Sequence, residues 1–451
     1  MAEMPERSQN NRTHDHSGII RKTAAGLVLW AVLFVSFIFP AAAQDWDHPG
    51  FEMGHISTVY NIRNGMPYSE INAAAQTEDG FMYFGSYGGL VRYDGRSFYR
   101  FDELSSVLCL YPDPDGSLWI GTNDMGFARM TPQAEFTYFG KEAGLKTLSV
   151  RSIVPDGKGN LFFSTTSGLF YMKNYKEEGT SLTLLDDSRL NDEYITLSGK
   201  AGRNGEIYGM TEEGVLFSVR DFRVEKYWFP SETGSKVTCI CPDPGEGGKV
   251  FLGTEEDYIL YGKFDGPKED FRRIGIPGLS GVNALELIDG KLWICTNSGI
   301  GCLDDEDGYQ MLSLTPLTAA GGVLKDYEGN LWFYSFKNGV LKVSQSVFTD
   351  VSLMTSMKDR VVNTTWMKDD LLYAGTDTGL LVFSGDGNEV ETPVSELLRS
   401  SRVRAIKEDT KGNLWFCTYS ENGLVCLKPD GTYKIFNQKN GLISDYARTV
   451  F

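Results

Sequence analysis

Asp113–Thr122 (DPDGSLWIGT), Asp326–Ser335 (DYEGNLWFYS) and Asp409–Thr418 (DTKGNLWFCT) are three spellings of one ten-residue phrase. Fainter copies fill the space between them. The turn position is Gly80, Gly116, Gly159, Gly205, Gly248, Gly290, Gly329, Asp370 and Gly412, in steps of 36 to 46 residues. Three residues after each comes an aromatic: Tyr83, Trp119, Phe162, Tyr208, Phe251, Trp293, Trp332, Tyr373 and Trp415. Three further on comes a hydroxyl: Ser86, Thr122, Thr165, Thr211, Thr254, Thr296, Ser335, Thr376 and Thr418. A fixed period of this length is the mark of a repeat architecture.

Each unit reads as four short strands. After Gly116 the second strand is expected over 118–121, the third over 127–130 and the fourth over 135–139. The first strand of the next unit comes at 149–154. Gly, Asn and Asp stand between them, where a reversal needs positive φ or a side-chain cap. No sustained helical period occurs after residue 45, so no helix longer than two turns is expected there. A lone four-stranded sheet cannot bury both faces and must stack on neighbours, which makes the chain an all-β propeller. The innermost strands should include 71–75, 150–154, 237–241 and 403–406, apolar runs that precede the turn and need cover on both faces. The repeated residues have structural explanations. The Asp caps the turn, the Gly permits the reversal, the aromatic fills the space between blades and the hydroxyl satisfies a strand-end backbone group.

Outside the repeats, Arg21 and Lys22 precede the apolar run Ala24–Phe39. As a helix that run is ~24 Å long at ~1.5 Å per residue, short for a ~30 Å hydrocarbon core. Pro40 then breaks it, and Ala41-Ala42-Ala43-Gln44 fits a signal cleavage site. Residues 1–44 are therefore a signal peptide or a membrane anchor, and either one exports the remainder of the chain.

Composition removes whole classes of function. The net charge is −17 with no basic stretch in the body of the chain, which excludes a phosphate-neutralising groove and hence a nucleic-acid partner. All four histidines, His14, His16, His48 and His55, precede residue 56. The body thus lacks the commonest general base and metal ligand. No phosphate loop, Ser-His-Asp set or isolated carboxylate pair stands out, so no catalytic residue, metal or cofactor is expected. The acidic run Asp304–Gly308 lacks the alternation of a calcium loop and reads as solvated. Cys295 and Cys302 flank one hairpin tip, Cys417 and Cys426 the matching one. Each pair could face across neighbouring strands, but buried thiols are the favoured reading. Cys239 and Cys241 share a strand face, and no C-x-x-C occurs.

The pattern D-x-x-G-x-L-W-I-G-T-x-x-G-L with a later F-x-x-F-x-x-x-x-G-L resembles the two-component regulator propeller repeat. It stands at Asp113–Gly126 with Phe136–Leu145, and at Asp409–Leu424 with Tyr433–Leu442. The resemblance covers about residues 51–451. The stretch Asn64–Phe101 is similar to the sensor half of bacterial membrane-bound diguanylate cyclases, and glycan-sensing hybrid histidine kinases carry related propellers. Both families place the propeller outside the membrane and an output domain inside, and neither a downstream membrane helix nor an output domain is present here. The resemblance implies two seven-bladed rings, the second truncated: a first over 51–344 and a partial second over 345–451.

Ring closure can be read from the residues. The segment Ser57–Ile62 matches the outer-strand segments of later units but has no inner strands of its own. An orphan outer strand must complete another blade. Counting seven units places that blade at Gly321–Val343, so Val59 should meet the strand over 335–343. Val347–Val351 would then be the orphan outer strand of the second ring.

The function expected is ligand sensing outside the cytoplasm, at the periplasmic or extracellular face of the bacterial cytoplasmic membrane, for an attached output. The alternatives are a secreted propeller enzyme acting on glycans (lyase or hydrolase) and a protein-binding scaffold. The ligand is not named by the sequence. Tyr87, Tyr258 and Tyr419, taken as exposed loop aromatics, could stack on a carbohydrate. Membrane attachment would come through the N-terminal segment or a C-terminal helix, and a homodimer is an open possibility.

Overall fold

The computed structural model describes residues 55–229, 234–245, 247–304, 308–312, 317–345, 360–385 and 387–450. The export segment, the strand expected at 347–351 and the acidic residues 305–307 lie outside the described residues. Residues 50–451 form one unit built almost wholly of antiparallel sheet. Six four-stranded blades succeed one another in chain order. Their inner strands are Ala73–Gln76, Val107–Pro112, Val150–Pro155, Ile195–Leu197, Val237–Pro242 and Val282–Ile288.

Blade 7 is made of Ala320–Lys325, Leu331–Ser335 and Gly339–Gln345, and its fourth strand is His55–Tyr60 from the other end of the chain. The pairing is antiparallel from His55 opposite Gln345 to Tyr60 opposite Val340, and Val59 lies opposite Leu341. The inner strand of blade 7 packs on that of blade 1, which closes a ring of seven. Trp332 locks the seam: Tyr60 stacks on it at 5.8 Å, while Phe84 and Tyr93 of blade 1 approach at 5.9 and 5.8 Å. The closing strand begins two residues before the expected Ser57, and Ile62 lies in the turn after it.

Two more blades come next. Blade 9 (Arg402–Glu408 to Tyr433–Phe436) has four strands. Blade 8 (Val362–Lys368, Leu371–Thr376, Leu380–Phe383) shows three. Where a fourth would run, Phe383 makes a single bridge to Glu389, and the chain then enters the one-turn helix Pro393–Leu397. Thr392 caps that helix and Pro393 occupies its first turn, where a missing N–H costs nothing. The two blades share a core that includes Tyr373, Val382, Val403, Ile406 and Phe416. Among the described residues no helix is long and apolar enough to cross a membrane.

The repeat phrase now has a mechanism. Asp326 Oδ1 accepts from the backbone N–H of Glu328 and Asn330 at 3.0 and 2.8 Å, capping the turn. Its Oδ2 accepts from Asn330 Nδ2 and from the Trp332 indole at 2.8 and 2.7 Å. Asp409 repeats all four bonds, and Asp113 anchors Trp119 at 3.2 Å. The aspartate thus caps the turn and aims the tryptophan, which explains why Asp, Asn and Trp travel together. The hydroxyl closes the hairpin between second and third strands. Thr122 Oγ1 donates to Gly126 O at 2.9 Å, and Thr165, Thr296, Thr376 and Thr418 do the same at 2.8 Å.

Candidate functional site

Antiparallel blades sort their loops. The Asp-x-x-Gly turn lies on one face of the ring. The hairpin between second and third strands and the blade-to-blade connection lie on the other, here called the mouth face. Most inner strands carry a bulge at their mouth end, as between Val107 and Cys109, Val237 and Cys239, or Val282 and Ala284. A bulge leaves a ladder group without its strand partner. The preceding blade supplies one. Asn72 Nδ2 donates to Val107 O at 2.9 Å, Asn283 Nδ2 to Ala320 O at 2.9 Å and Asn363 Nδ2 to Val403 O at 3.1 Å, and the Thr238 hydroxyl donates to Val282 O. Backbone bonds continue the stitching from blade 5 to blade 7: Gly281 to Glu255, Asn297 to Gly281, Ala319 to Asn297 and Phe336 to Ala319, at 3.0 to 3.1 Å.

Between blades 4 and 5 the bonds lie elsewhere, as where the Trp228 indole donates to Phe264 O at 2.6 Å. The inner strand of blade 4 has only three residues, Ile195–Leu197, and no bulge in its pairing with Thr211–Gly209. A notch of about 210 Å³ opens there at the mouth, lined by Tyr194, Thr196, Thr211, Glu212, Lys236 and Thr238 among others. Its wall is furnished from blade 3 as well. The Arg151 guanidinium lies 4.6 Å from the centre of the Tyr194 ring and donates to its hydroxyl. Lys236 is held by Glu255 at 2.9 Å, which raises the lysine's pKa through that hydrogen bond. The notch therefore presents an aromatic edge, three threonine hydroxyls and charges of both signs, a mixture suited to a polar, hydroxyl-rich small molecule.

Family comparison gives the repeat its name. The pattern described as two component regulator propeller matches residues 103–124 and 397–420. Each match spans an inner strand, the Asp-anchored turn and the second strand. These two stretches match the two-component regulator propeller repeat. No curated protein matches the chain. Among solved structures, the extracellular domain of a hybrid two-component system of B. thetaiotaomicron superposes with a TM-score of 0.63 at 22% identity. It covers 86% of this chain and 55% of that one. A second such domain from B. thetaiotaomicron gives 0.51 at 17% identity, covering 84% and 53%. The chain thus spans about half the length of these relatives. Virginiamycin B lyase from Staphylococcus aureus matches at 0.52 and 13% identity, over 64% of this chain and 99% of that one. At these identities the likeness is one of fold.

In this propeller the three tyrosines singled out in the sequence all belong to second-to-third-strand hairpins, but they are not equivalent. Tyr87, at the tip in blade 1, is 56% exposed. Tyr258 is not exposed: it begins a strand of blade 5, is 8% accessible and lies under the Arg273 guanidinium at 3.5 Å. The expectation of a loop failed because Glu255-Glu256-Asp257 alone make the hairpin tip. Tyr419 ends a strand of blade 9 and is half-buried against Tyr446, ring centres 5.6 Å apart. None of the three lines the notch, and the structure does not bring them together. Tyr194, Thr196 and Thr238 were missed in the sequence. The only available signal was the long, irregular approach to blade 4, over which no clear inner strand is written.

The channel side of the inner strands holds a second polar group. Glu286 of blade 6 is ion-paired with Lys200 of blade 4, so the pair reaches past blade 5. Burial raises the Glu286 carboxyl above its ordinary range. Tyr334 of blade 7 stands where blades 1, 2 and 5 have Gly85, Gly121 and Gly253, and its ring occupies the space that side chains at Gly321 and Gly322 would need. No disulfide joins the seven cysteines. Cys295 lies opposite Ile300 and Cys302 opposite Trp293, so these two are displaced by two residues along the hairpin, as are Cys417 and Cys426. Burial pushes the Cys109 and Cys239 thiols up to about 12, which keeps them protonated and without nucleophilic character. Among the described residues no cluster of His, Cys, Asp or Glu could hold a metal ion.

Proposed function

We propose that the chain is the extracytoplasmic ligand-sensing propeller region of a signal-transduction protein, with blades 8 and 9 beginning a second ring. The observation that carries this reading is the polar notch between blades 4 and 5. It sits on the face where all blade connections converge, beside an inner strand of only three residues, Ile195–Leu197. A ligand bridging Tyr194 and Thr196 on one blade and Thr238 on the next would change the relation of two blades, and that is a signal a rigid ring can transmit. A signal peptide or anchor over residues 1–44, as the sequence is read, would put the propeller on the outer side of the cytoplasmic membrane, and the matches to the two-component regulator propeller repeat favour an attached output domain such as a cyclase or kinase. The ligand class the notch suits is a carbohydrate or similarly hydroxylated molecule.

The test is thermal-shift screening of the purified propeller against mono- and oligosaccharides. A saturable shift is expected, reduced at least tenfold in apparent affinity by Tyr194→Ala or Thr196→Val, since a lost stacking or buried hydrogen-bond partner is worth about 1.4 kcal/mol or more. A shift unaffected by both variants removes the notch from consideration. Product formation from any member of the panel would replace sensing by the enzyme alternative.

A further inference from the structure

The same seam between blades 4 and 5 contains a second cavity, near the outer edge of the ring and chemically unlike the notch. It measures about 130 Å³ and is walled by Leu216, Trp228, Leu252, Leu260, Phe264 and Phe271. Four of these, Leu216, Trp228, Leu252 and Phe264, are 1 to 6% accessible, so they are core residues facing empty space. The walls are fixed. The Trp228 indole donates to Phe264 O at 2.6 Å, Phe271 meets Trp228 edge-on at 5.7 Å, and Phe264 packs against Tyr208 at 5.0 Å. Lys268 lies at the rim. It is exposed, and among the described residues it has no carboxylate partner in a chain whose net charge is −17.

We infer that this cavity is a binding site for a small amphiphilic carboxylate, with a flat apolar ring inside and the carboxylate on Lys268. Protein interiors are close-packed, and a void of this size forfeits contacts on every wall. An apolar cavity of about 150 Å³ stays dry and takes up a benzene-sized guest. The space here is of that order, and its aromatic walls favour a flat guest through edge and face contacts. The ammonium is what separates this cavity from a simple packing fault. A cation at the mouth of an apolar cavity matches a guest with one apolar end and one anionic end. The site does not depend on the notch or on its ligand.

The experiment is fluorine NMR of the purified propeller titrated with 4-fluorobenzoate and, in parallel, with neutral fluorobenzene. Saturable binding of both is expected, with the benzoate favoured roughly two- to five-fold, the worth of a partly exposed ion pair. Lys268→Gln should erase that preference while leaving fluorobenzene unchanged. Leu252→Phe and, independently, Leu260→Phe should fill the space and abolish binding of both probes, with circular dichroism confirming the fold of each variant. Equal binding of the two probes to the unaltered protein overturns the assignment of a carboxylate ligand. Failure of both probes to bind, or binding that survives both filling substitutions, overturns the site itself.

Discussion

Asp326 shows how one carboxylate holds a repeat together. It is 7% accessible and accepts four hydrogen bonds, one of them from a buried indole. Asp326→Ala would leave the Trp332 N–H and two backbone N–H groups without acceptors. A loss of about 3 kcal/mol is expected, read as a lower urea midpoint with the slope unchanged. Two other carboxylates pull stability in opposite directions with pH. Asp409 is held well below the usual carboxylate range, first by Asn413 and then by the Trp415 indole. Its contribution is present above the ordinary value near 3.8 and is lost as pH falls. Burial raises Glu286 above its ordinary 4.5, so the folded state favours its protonated form. That contribution is full below 4.5 and is lost as pH rises through the folded value. Glu286→Gln should therefore gain on the parent protein as pH rises. Urea midpoints at about pH 5 and about pH 8 check this, and a variant that loses ground to the parent between the two would contradict the assignment.

At the scale of the strand pair, the same two positions are filled in several ways. Facing residues on first and second strands are Ala73 and Gly85, Cys109 and Gly121, Cys239 and Gly253, Ala284 and Cys295, Gly322 and Tyr334. In each of these five pairs at least one partner is small, and the largest, Tyr334, requires glycine opposite. Gly322→Ala should therefore cost about 1–3 kcal/mol by overpacking. Combined with Tyr334→Gly it should cost less than the sum of the single changes, and additivity in this double-mutant cycle would show that the ring does not depend on the glycine. Such pairs explain what could be read in advance. Turn glycines, aromatics and hydroxyls recur because every blade needs the same reversal, so the period, the four strands and the orphan strand at His55–Tyr60 were legible. The notch was not, because it arises from a strand that stays short at Ile195–Leu197, a non-event in the sequence. Tyr258 looked like a loop residue because hairpin length, not residue type, decides where a tip ends.

The whole ring depends on a joint between chain ends, and Gly339 is where that joint is tightest. Its φ is +91°, and a Cβ there would run into Tyr60 O, the last residue of the closing strand. Gly339 N also donates to Ser69 O at 2.7 Å, which ties the same hairpin to the entry of blade 1. Closure supplies blade 7 with its outer strand, so His55–Tyr60 is held at both levels: it pairs along Gly339–Gln345, and its Tyr60 stacks on Trp332 inside the seam with blade 1. Its hydrogen-bonded amides should therefore exchange only when the ring opens, as slowly as those of interior strands such as Leu161–Thr165. Gly339→Ala strains a left-handed position and pushes the closing strand away. Native-state hydrogen exchange should then show the amides of His55–Tyr60 released first and Met82–Ser86 across the seam next, while blades 3 and 4, opposite the joint, keep their protection until global unfolding. If the closing strand exchanges rapidly in the unaltered protein, the N-terminal strand does not secure the ring and the seven blades are held by inter-blade packing alone.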